Sequence, residues 1–303
     1  MRAAFFAPIL LSLALALDYG GSFGLSAAAS YLCPPGIFAI EPIYAGELRA
    51  GDSWGDVRLS LALYPSWLPA KNVFDWGLSE LKLTYDQSRF SLGVGFSTWP
   101  LSEARLLRPF ALTSPRSGYE AGLPGAWAVF FPDADTRLTA AAIWLDGRAL
   151  GLATVRGVLA GIDLSAHAAL AAAPAPLDFA AAASGRLGGF VIYLESGFQP
   201  RLSRPWRFLA GTSFYLAGGL ATVEVGYFGA WRAAAAYSRE LAEDLTLDLR
   251  GVLSRSLGVS RPQVNVALTY AGSNGDLIIG LGYARLPGKR DLWQPSLSVR
   301  TYF

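Results

Sequence analysis

The feature that most constrains the fold is an alternation of apolar and polar residues with a period of two, which recurs along the chain. The stretch DYGGSFGLSAAASYL at 18–32 places Tyr19, Phe23 and Leu25 on one parity and small or polar residues on the other. The last eight residues, SLSVRTYF at 296–303, repeat the pattern. Side chains of a strand point alternately to its two faces, so each stretch predicts a strand with one apolar and one polar face.

About eighteen stretches of this kind follow one another, and sixteen is our lower bound. Aromatic residues repeatedly end the apolar faces, as in the girdles that a barrel places at the two membrane interfaces. A soluble β-sandwich also alternates, but it needs far fewer strands. The predicted strands are 18–32, 43–50, 55–65, 77–86, 89–98, 124–131, 136–146, 150–159, 161–172, 177–185, 188–197, 206–217, 219–229, 231–239, 245–255, 262–272, 277–284 and 294–303.

Composition indicates a membrane protein. Charged residues make up 16% of the chain and hydrophobic residues 52%, against roughly 25% charged in a soluble domain. Past residue 17 no segment reaches 18 apolar residues without a charge or a proline. Only helices and closed barrels satisfy all backbone hydrogen bonds in lipid, so we predict an all-β, antiparallel, up-and-down transmembrane barrel. The near balance of 25 Lys and Arg against 23 Asp and Glu disfavours a nucleic-acid partner.

The start of the chain predicts a secretory signal peptide. Residues 3–17, AAFFAPILLSLALAL, form the one long apolar run, and Arg2 precedes it. A positive start, an apolar stretch and the small-residue triplet ALA at 14–16 are typical of such a leader. A membrane anchor is the alternative, but the run is shorter than the ~20 residues of a spanning helix. We expect cleavage to separate a signal peptide at 1–16 from a single barrel domain at 17–303.

The connections between predicted strands alternate in length. Even-numbered ones are short, as expected of periplasmic turns, whereas several odd-numbered ones are longer, as expected of external loops. The long ones are 33–42, 66–76, 99–123, 198–205 and 285–293. This pattern returns the C-terminus to the periplasm. There, Phe303 at the end of an alternating strand resembles the signal by which outer-membrane barrels reach their assembly machinery.

Barrels of sixteen to eighteen strands leave an aqueous channel, so the polar parity is expected to line a pore. Lys and Arg would cost roughly 2–4 kcal/mol on the lipid face at mid-membrane. The inward charges therefore either line a solute path or pair across the wall, and their slight basic excess favours a mild anion preference. The pore-lining candidates are Arg49, Arg58, Lys82, Arg137, Arg156, Arg250, Glu47, Asp56 and Glu80; Arg186, Arg207, Arg232, Arg300, Asp163, Asp178, Glu195, Glu224 and Asp248 share their parity.

The segment 99–123 is far longer than a usual connection, and such loops are functional or disordered. Its many large apolar side chains disfavour a disordered, solvated loop. It therefore either folds into the lumen and narrows the pore, which we favour, or packs as an external cap. The candidates for lining a constriction are Trp99, Glu103, Arg105, Arg108 and Arg116.

This region carries a resemblance to a known family. The stretch RFSLGVGFSTWPLSEARLLRPFALTSPRSG at 89–118, followed by AWAVFFPDADTRLTAAAIW at 126–144, resembles a segment of alginate-export-type porins and related outer-membrane channels. In those proteins a strand ends in a Trp-containing turn, followed by a proline-rich loop and a hairpin. The strand before the tryptophan is Gly/Ser-rich here rather than Gln/Arg-rich. The resemblance implies the porin class and the outer membrane of a diderm bacterium, not a particular solute.

Two other functions are weighed against a channel. An outer-membrane phospholipase needs a Ser–His pair, and His167 lies near Ser165 and Asp163 on one parity, but residues of one strand face do not converge as a nucleophile and base. A non-conducting anchor or receptor is the other alternative, and an adhesin would need larger external loops. No cofactor or metal is expected, and Cys33 has no partner cysteine. The sequence thus predicts a non-enzymatic channel for passive diffusion of small hydrophilic solutes.

Overall fold

The computed structural model describes residues 18–33, 36–69, 72–99, 106–107, 114–116, 119–145, 147–171, 177–200, 203–256, 259–286 and 290–302. The predicted signal peptide and Phe303 lie outside these residues. No helix in the described part of the chain is long and apolar enough to cross a membrane.

The described residues form an all-β structure of twenty strands. Eighteen of them make one antiparallel sheet, and β6 and β7 make a separate short hairpin. The strands are β1 Asp18–Cys33, β2 Ile37–Trp54, β3 Val57–Leu68, β4 Val73–Asp86, β5 Phe90–Ser97, β6 Ser114–Arg116, β7 Tyr119–Ala121, β8 Leu123–Phe130, β9 Arg137–Leu145, β10 Arg148–Leu159, β11 Ile162–Ala171, β12 Leu177–Leu187, β13 Phe190–Phe198, β14 Trp206–Leu216, β15 Gly219–Tyr227, β16 Trp231–Ala242, β17 Leu245–Ser256, β18 Val259–Gly272, β19 Gly275–Leu286 and β20 Arg290–Tyr302.

The sheet closes on itself. Each of its strands pairs with the next one along the chain, and β20 pairs with β1, where Arg300 lies opposite Gly24. A closed sheet has no free edge, so its backbone donors and acceptors pair between strands, as a spanning barrel requires. The predicted up-and-down barrel is confirmed, and each of the eighteen predicted strands is present among the described residues.

Several strands extend further than predicted, and the long connections between them are correspondingly shorter. The predicted loop 33–42 is largely strand, because β2 already begins at Ile37. Two of the extended strands contain a proline, which cannot donate a backbone hydrogen bond. Pro42 and Pro295 each appear in the described register with one neighbouring strand only, so the missing donor falls at a gap in the other ladder.

Aromatic side chains mark the two ends of the outer surface. At one end, Tyr44 stacks on Trp67 with 5.1 Å between ring centroids, and Tyr283 packs on Trp293 at 4.8 Å. At the other end, Phe190 packs on Phe214 at 5.3 Å. Exposed aliphatic side chains fill the band between these levels. This surface is the one that a bilayer covers, with interfacial rings above and below an apolar belt.

Two parts of the wall carry different outer side chains. The wall from β8 to β15, here called the loop wall, presents small residues at mid-height, such as Ala140, Ala153 and Ala166, in a shallow concavity. The wall formed by β18–β20 and β1–β4, here called the open wall, presents large exposed residues such as Leu83 and Ile279. Both surfaces are apolar, but the side chains in the mid-height concavity of the loop wall are smaller than those on the open wall.

Candidate pore and its constriction

The polar parity of the alternation faces the lumen. On the open wall, the register aligns Arg58 with Thr84 and Gly93 on successive strands. Followed around the barrel, the pairings place this parity on the same face as Glu224, which contacts a segment inside the barrel. The charged residues on this parity therefore surround the interior, and most of the large exposed apolar residues face outward.

Most pore-lining candidates lie on this face. Glu47 and Arg49 are on β2, Arg58 on β3, Glu80 and Lys82 on β4, Arg137 on β9, Arg156 on β10 and Arg250 on β17. Asp56 is the exception, because it lies in the turn between β2 and β3. There its carboxylate accepts a hydrogen bond from the Gln87 side chain at 2.8 Å.

Part of the charge on the open wall is paired locally. The Lys82 ammonium lies 2.9 Å from a Glu80 carboxylate oxygen, and Arg49 pairs with Glu47. The Tyr64 hydroxyl also donates to Glu47, at 2.9 Å. Partly exposed pairs of this kind contribute little stability, about 0–1 kcal/mol. Their effect is to hold the charged groups close to the wall and leave the space in front of it to water.

A short piece of the long connection between β5 and β8 lies inside the barrel. The backbone N–H groups of Leu106 and Leu107 donate to the two carboxylate oxygens of Glu224, at 3.0 and 2.8 Å. The Tyr193 hydroxyl donates to the same carboxylate at 2.6 Å. From β17, the Arg250 guanidinium donates to the Leu106 carbonyl at 2.9 Å. The segment is thus bound to the wall through both kinds of backbone group.

Two apolar clusters on the lumen face accompany this segment. Leu123, Ile143, Leu150 and Leu152 form one cluster, and Trp99 packs against it. The other cluster is formed by Tyr193 and Leu209, and Leu107 packs against it. Large apolar side chains on an inward face are out of place in a water-filled lumen, so here they form the inner side of a small core.

The described parts of this connection contact different strands of the inner wall. Trp99 packs on strands β8–β10, and Leu107 packs on β13 and β14. The two contact sites are separated by about a quarter of the circumference of the eighteen-stranded sheet.

A basic pocket lies beside the start of this connection. Its volume is about 330 Å³, and its lining includes Lys82, Arg137, Arg156, His167 and Thr84. One side is formed by two tryptophans, Trp99 and Trp127, which meet edge to face with 5.5 Å between ring centroids. The pocket combines cationic groups, hydroxyls and aromatic surface.

The structure describes only some of the remaining predicted residues. Glu103, Arg105 and Arg108 lie outside the described residues, and Arg116 ends β6, where only its backbone is described. Ser165 and His167 lie two residues apart on β11 and both line the basic pocket, as neighbouring wall residues do. Within the described part of the chain, no group of three or more His, Cys, Asp or Glu side chains is arranged to hold a metal ion.

Sequence reasoning missed the residues that hold the connection. Glu224 was only one of several inward acids, and Tyr193 carried no signal beyond its position in an alternating strand. One available signal was the run RALGLA at 148–153, where Leu150 and Leu152 make the inward parity apolar as well. An apolar inward face predicts a protein partner inside the lumen, but it does not identify the segment that provides it.

No protein-family model and no curated protein matches this chain. Solved structures from Pseudomonas aeruginosa share its fold. OpdL is 13% identical with a TM-score of 0.69, covering 95% of this chain and 98% of its own. OpdO is 14% identical with a TM-score of 0.68, covering 94% and 97%. OccK2 (OpdF), solved in complex with glucuronate, is 11% identical with a TM-score of 0.68, covering 95% and 98%.

These proteins are outer-membrane porins, so the chain has the fold of outer-membrane channels. The likeness extends over almost the whole of each chain, which includes the closed barrel. The narrower resemblance of residues 89–118 to alginate-export-type porins stays a hypothesis.

Proposed function

We propose that this chain is an outer-membrane channel for passive diffusion of small hydrophilic solutes, with a preference for anions. One observation carries the proposal. The inward acids Glu195 and Glu224 are 3% and 0% exposed, whereas the side chains of Arg49 and Arg58 are 69% and 64% exposed. Each arginine lies beside a carboxylate that is less exposed, Glu47 at 25% and Asp86 at 39%. The guanidinium groups are therefore the members of these pairs that solutes meet first, and a low-dielectric wall strengthens their field.

The solute class that best fits this lumen is a small anion with several hydroxyl groups. The basic pocket beside Trp99 offers Lys82, Arg137 and Arg156 to a carboxylate and the neighbouring hydroxyls to a polar ring. Its volume of about 330 Å³ is at the small end of ligand sites. The structural neighbour OccK2 binds glucuronate, a solute of this chemistry.

Delivery to the outer membrane of a diderm bacterium completes the proposal. Residues 1–16 act as a cleaved signal peptide, and Phe303 acts as the signal for the barrel assembly machinery. In the cell, outer-membrane lipid then surrounds the barrel. The mass of the mature protein checks the cleavage site, and deletion of Phe303 is expected to lower the amount of folded barrel in the membrane.

Planar-bilayer recording of the refolded protein tests the channel function. We expect discrete conductance steps and, across a salt gradient, a reversal potential of the sign that anion preference gives. Glucuronate should lower the chloride current as it occupies the lumen. Absence of steps from protein that migrates as a folded barrel on an unheated gel would contradict the proposal and favour a non-conducting anchor or receptor.

A further inference from the structure

We propose that Glu224, together with Tyr193, positions the constriction of this channel by holding the backbone at Leu106 and Leu107 against the loop wall. The inference rests on the proposed channel function. Both are positioning residues, because they act on the solute path through the segment that they hold.

Glu224 accepts several hydrogen bonds that together anchor the segment to the wall. Two consecutive backbone N–H groups donate to its two carboxylate oxygens, at 3.0 and 2.8 Å. Successive N–H groups that converge on one anion form a concave anion site. The Tyr193 hydroxyl supplies a third donor at 2.6 Å. A buried carboxylate needs such partners, and Glu224 is 0% exposed.

Neighbouring contacts hold the same segment from two other directions. The Arg250 guanidinium donates to the Leu106 carbonyl from β17. The Leu107 side chain packs against Tyr193 and Leu209. Polar and apolar contacts therefore hold these two residues in the same position. Among the described hydrogen bonds to them, Glu224 accepts two and Arg250 donates one.

The position of the Tyr193 ring depends on a glycine on the adjacent strand. Gly211 lies directly opposite Tyr193 in the register of β13 and β14. A Cβ atom at position 211 would lie 2.3 Å from the ring. The missing side chain lets the ring lie flat over the neighbouring strand, with its hydroxyl directed at Glu224. This arrangement extends the anchor over three strands.

Trypsin provides a direct measure of this anchor. The peptide bond between Arg105 and Leu106 is a trypsin site. The N–H group of this bond, that of Leu106, donates a hydrogen bond to Glu224. Trypsin is too large to enter a barrel, so the bond is cut only when the segment leaves the wall and emerges from the lumen. Glu224→Gln keeps the shape but turns one oxygen into a donor that faces an N–H. Loss of one hydrogen bond to a charged group raises the undocked population, and hence cleavage, by about tenfold or more.

The experiment compares variants refolded into lipid vesicles, with cleavage at Leu106 followed by mass spectrometry and conductance recorded in planar bilayers. We expect Glu224→Gln to be cut fastest and to show higher, noisier conductance, and Tyr193→Phe to be intermediate. The matched control is Glu240→Gln, which removes one negative charge near the periplasmic end of β16 and should behave as the wild type.

A folded Glu224→Gln protein with wild-type resistance at this bond and wild-type conductance would overturn the inference. If that variant does not reach the folded mobility on an unheated gel, Tyr193→Phe carries the test alone, since it removes a single hydroxyl. The protease measurement does not depend on whether the channel conducts. A folded wild-type protein that never conducts would thus contradict the channel function without affecting the test of the anchor.

Discussion

The loop wall and the open wall are built on the same alternation but use it differently. Strands of the loop wall have 8 to 12 residues, whereas those of the open wall have 12 to 18. On the inner face, the loop wall buries apolar residues such as Ile143 and Leu209, and the open wall exposes charged ones such as Arg49 and Arg58. On the outer face, the loop wall has a mid-height concavity lined by several alanines, where the open wall presents large side chains such as Leu83 and Ile279.

The difference shows what a segment inside the lumen does to a barrel. Where Trp99 and Leu107 pack on the inner face, the wall acquires a core, as in a soluble protein. Where water fills the lumen, the inner face contributes little burial, and the wall relies on backbone pairing and on the lipid side. Substitutions of the same kind should therefore have different effects on the two walls.

The largest expected difference concerns inward isoleucines. Ile143 is 2% exposed in the cluster beside Trp99, so Ile143→Ala should cost about 2–4 kcal/mol in free energy of unfolding. Ile278, also inward but on the open wall and only half-buried, should cost less than about 1 kcal/mol when changed to alanine. Urea unfolding in vesicles, followed by the mobility shift on unheated gels, measures both. Equal costs would remove the distinction between the walls.

The next effect concerns glycines. Gly211→Ala places a methyl group 2.3 Å from the Tyr193 ring, so we expect a loss of about 1–3 kcal/mol and faster trypsin cleavage at Leu106. The matched change is Gly251→Ala on β17, where the nearest atom to a new Cβ is 3.9 Å away. That variant should keep wild-type stability and protease resistance. A neutral Gly211→Ala would show that the ring moves aside without cost.

A smaller effect is expected from the paired charges of the open wall. Glu80→Gln removes the partner of Lys82, but both side chains are about one-third exposed. Water and salt screen the pair, so the free energy of unfolding should change by no more than about 1 kcal/mol. The same urea titration checks this prediction. A loss above 2 kcal/mol would mean that the open wall is held by buried ion pairs instead.

The smallest expected effect on stability is that of an exposed lumen arginine. Arg58→Gln should leave the free energy of unfolding within about 0.5 kcal/mol of wild type. It should move the reversal potential toward cation preference, because it removes a 64% exposed cation and leaves the Asp86 carboxylate, 3.6 Å away and 39% exposed, without its guanidinium partner. Glu195→Gln, at a position 3% exposed on the loop wall, is the comparison and should shift selectivity less. A larger shift in reversal potential from Glu195→Gln than from Arg58→Gln would place the solute path along the loop wall.

The sequence by itself determined that about eighteen strands form the barrel, their alternation and the inward face of most of the charges, Asp56 excepted. Those features follow from local rules, because the period of two and the lack of long apolar runs leave a closed barrel as the solution. It also indicated that residues 99–123 are too apolar to be a solvated loop. The starts of β2 and β20 were predicted several residues too late. Pro42 and Pro295 fit in these strands because the barrel leaves a gap in one ladder at each position.

Only the tertiary structure decided which part of the lumen is filled and by which residues. Leu106 and Glu224 are separated by 118 positions in sequence, and they meet because closure of the sheet brings β15 within reach of a segment that leaves the wall at β5. Parity assigns a side chain to a face but not to a partner. The partner depends on the curvature of the whole barrel, to which all eighteen strands contribute.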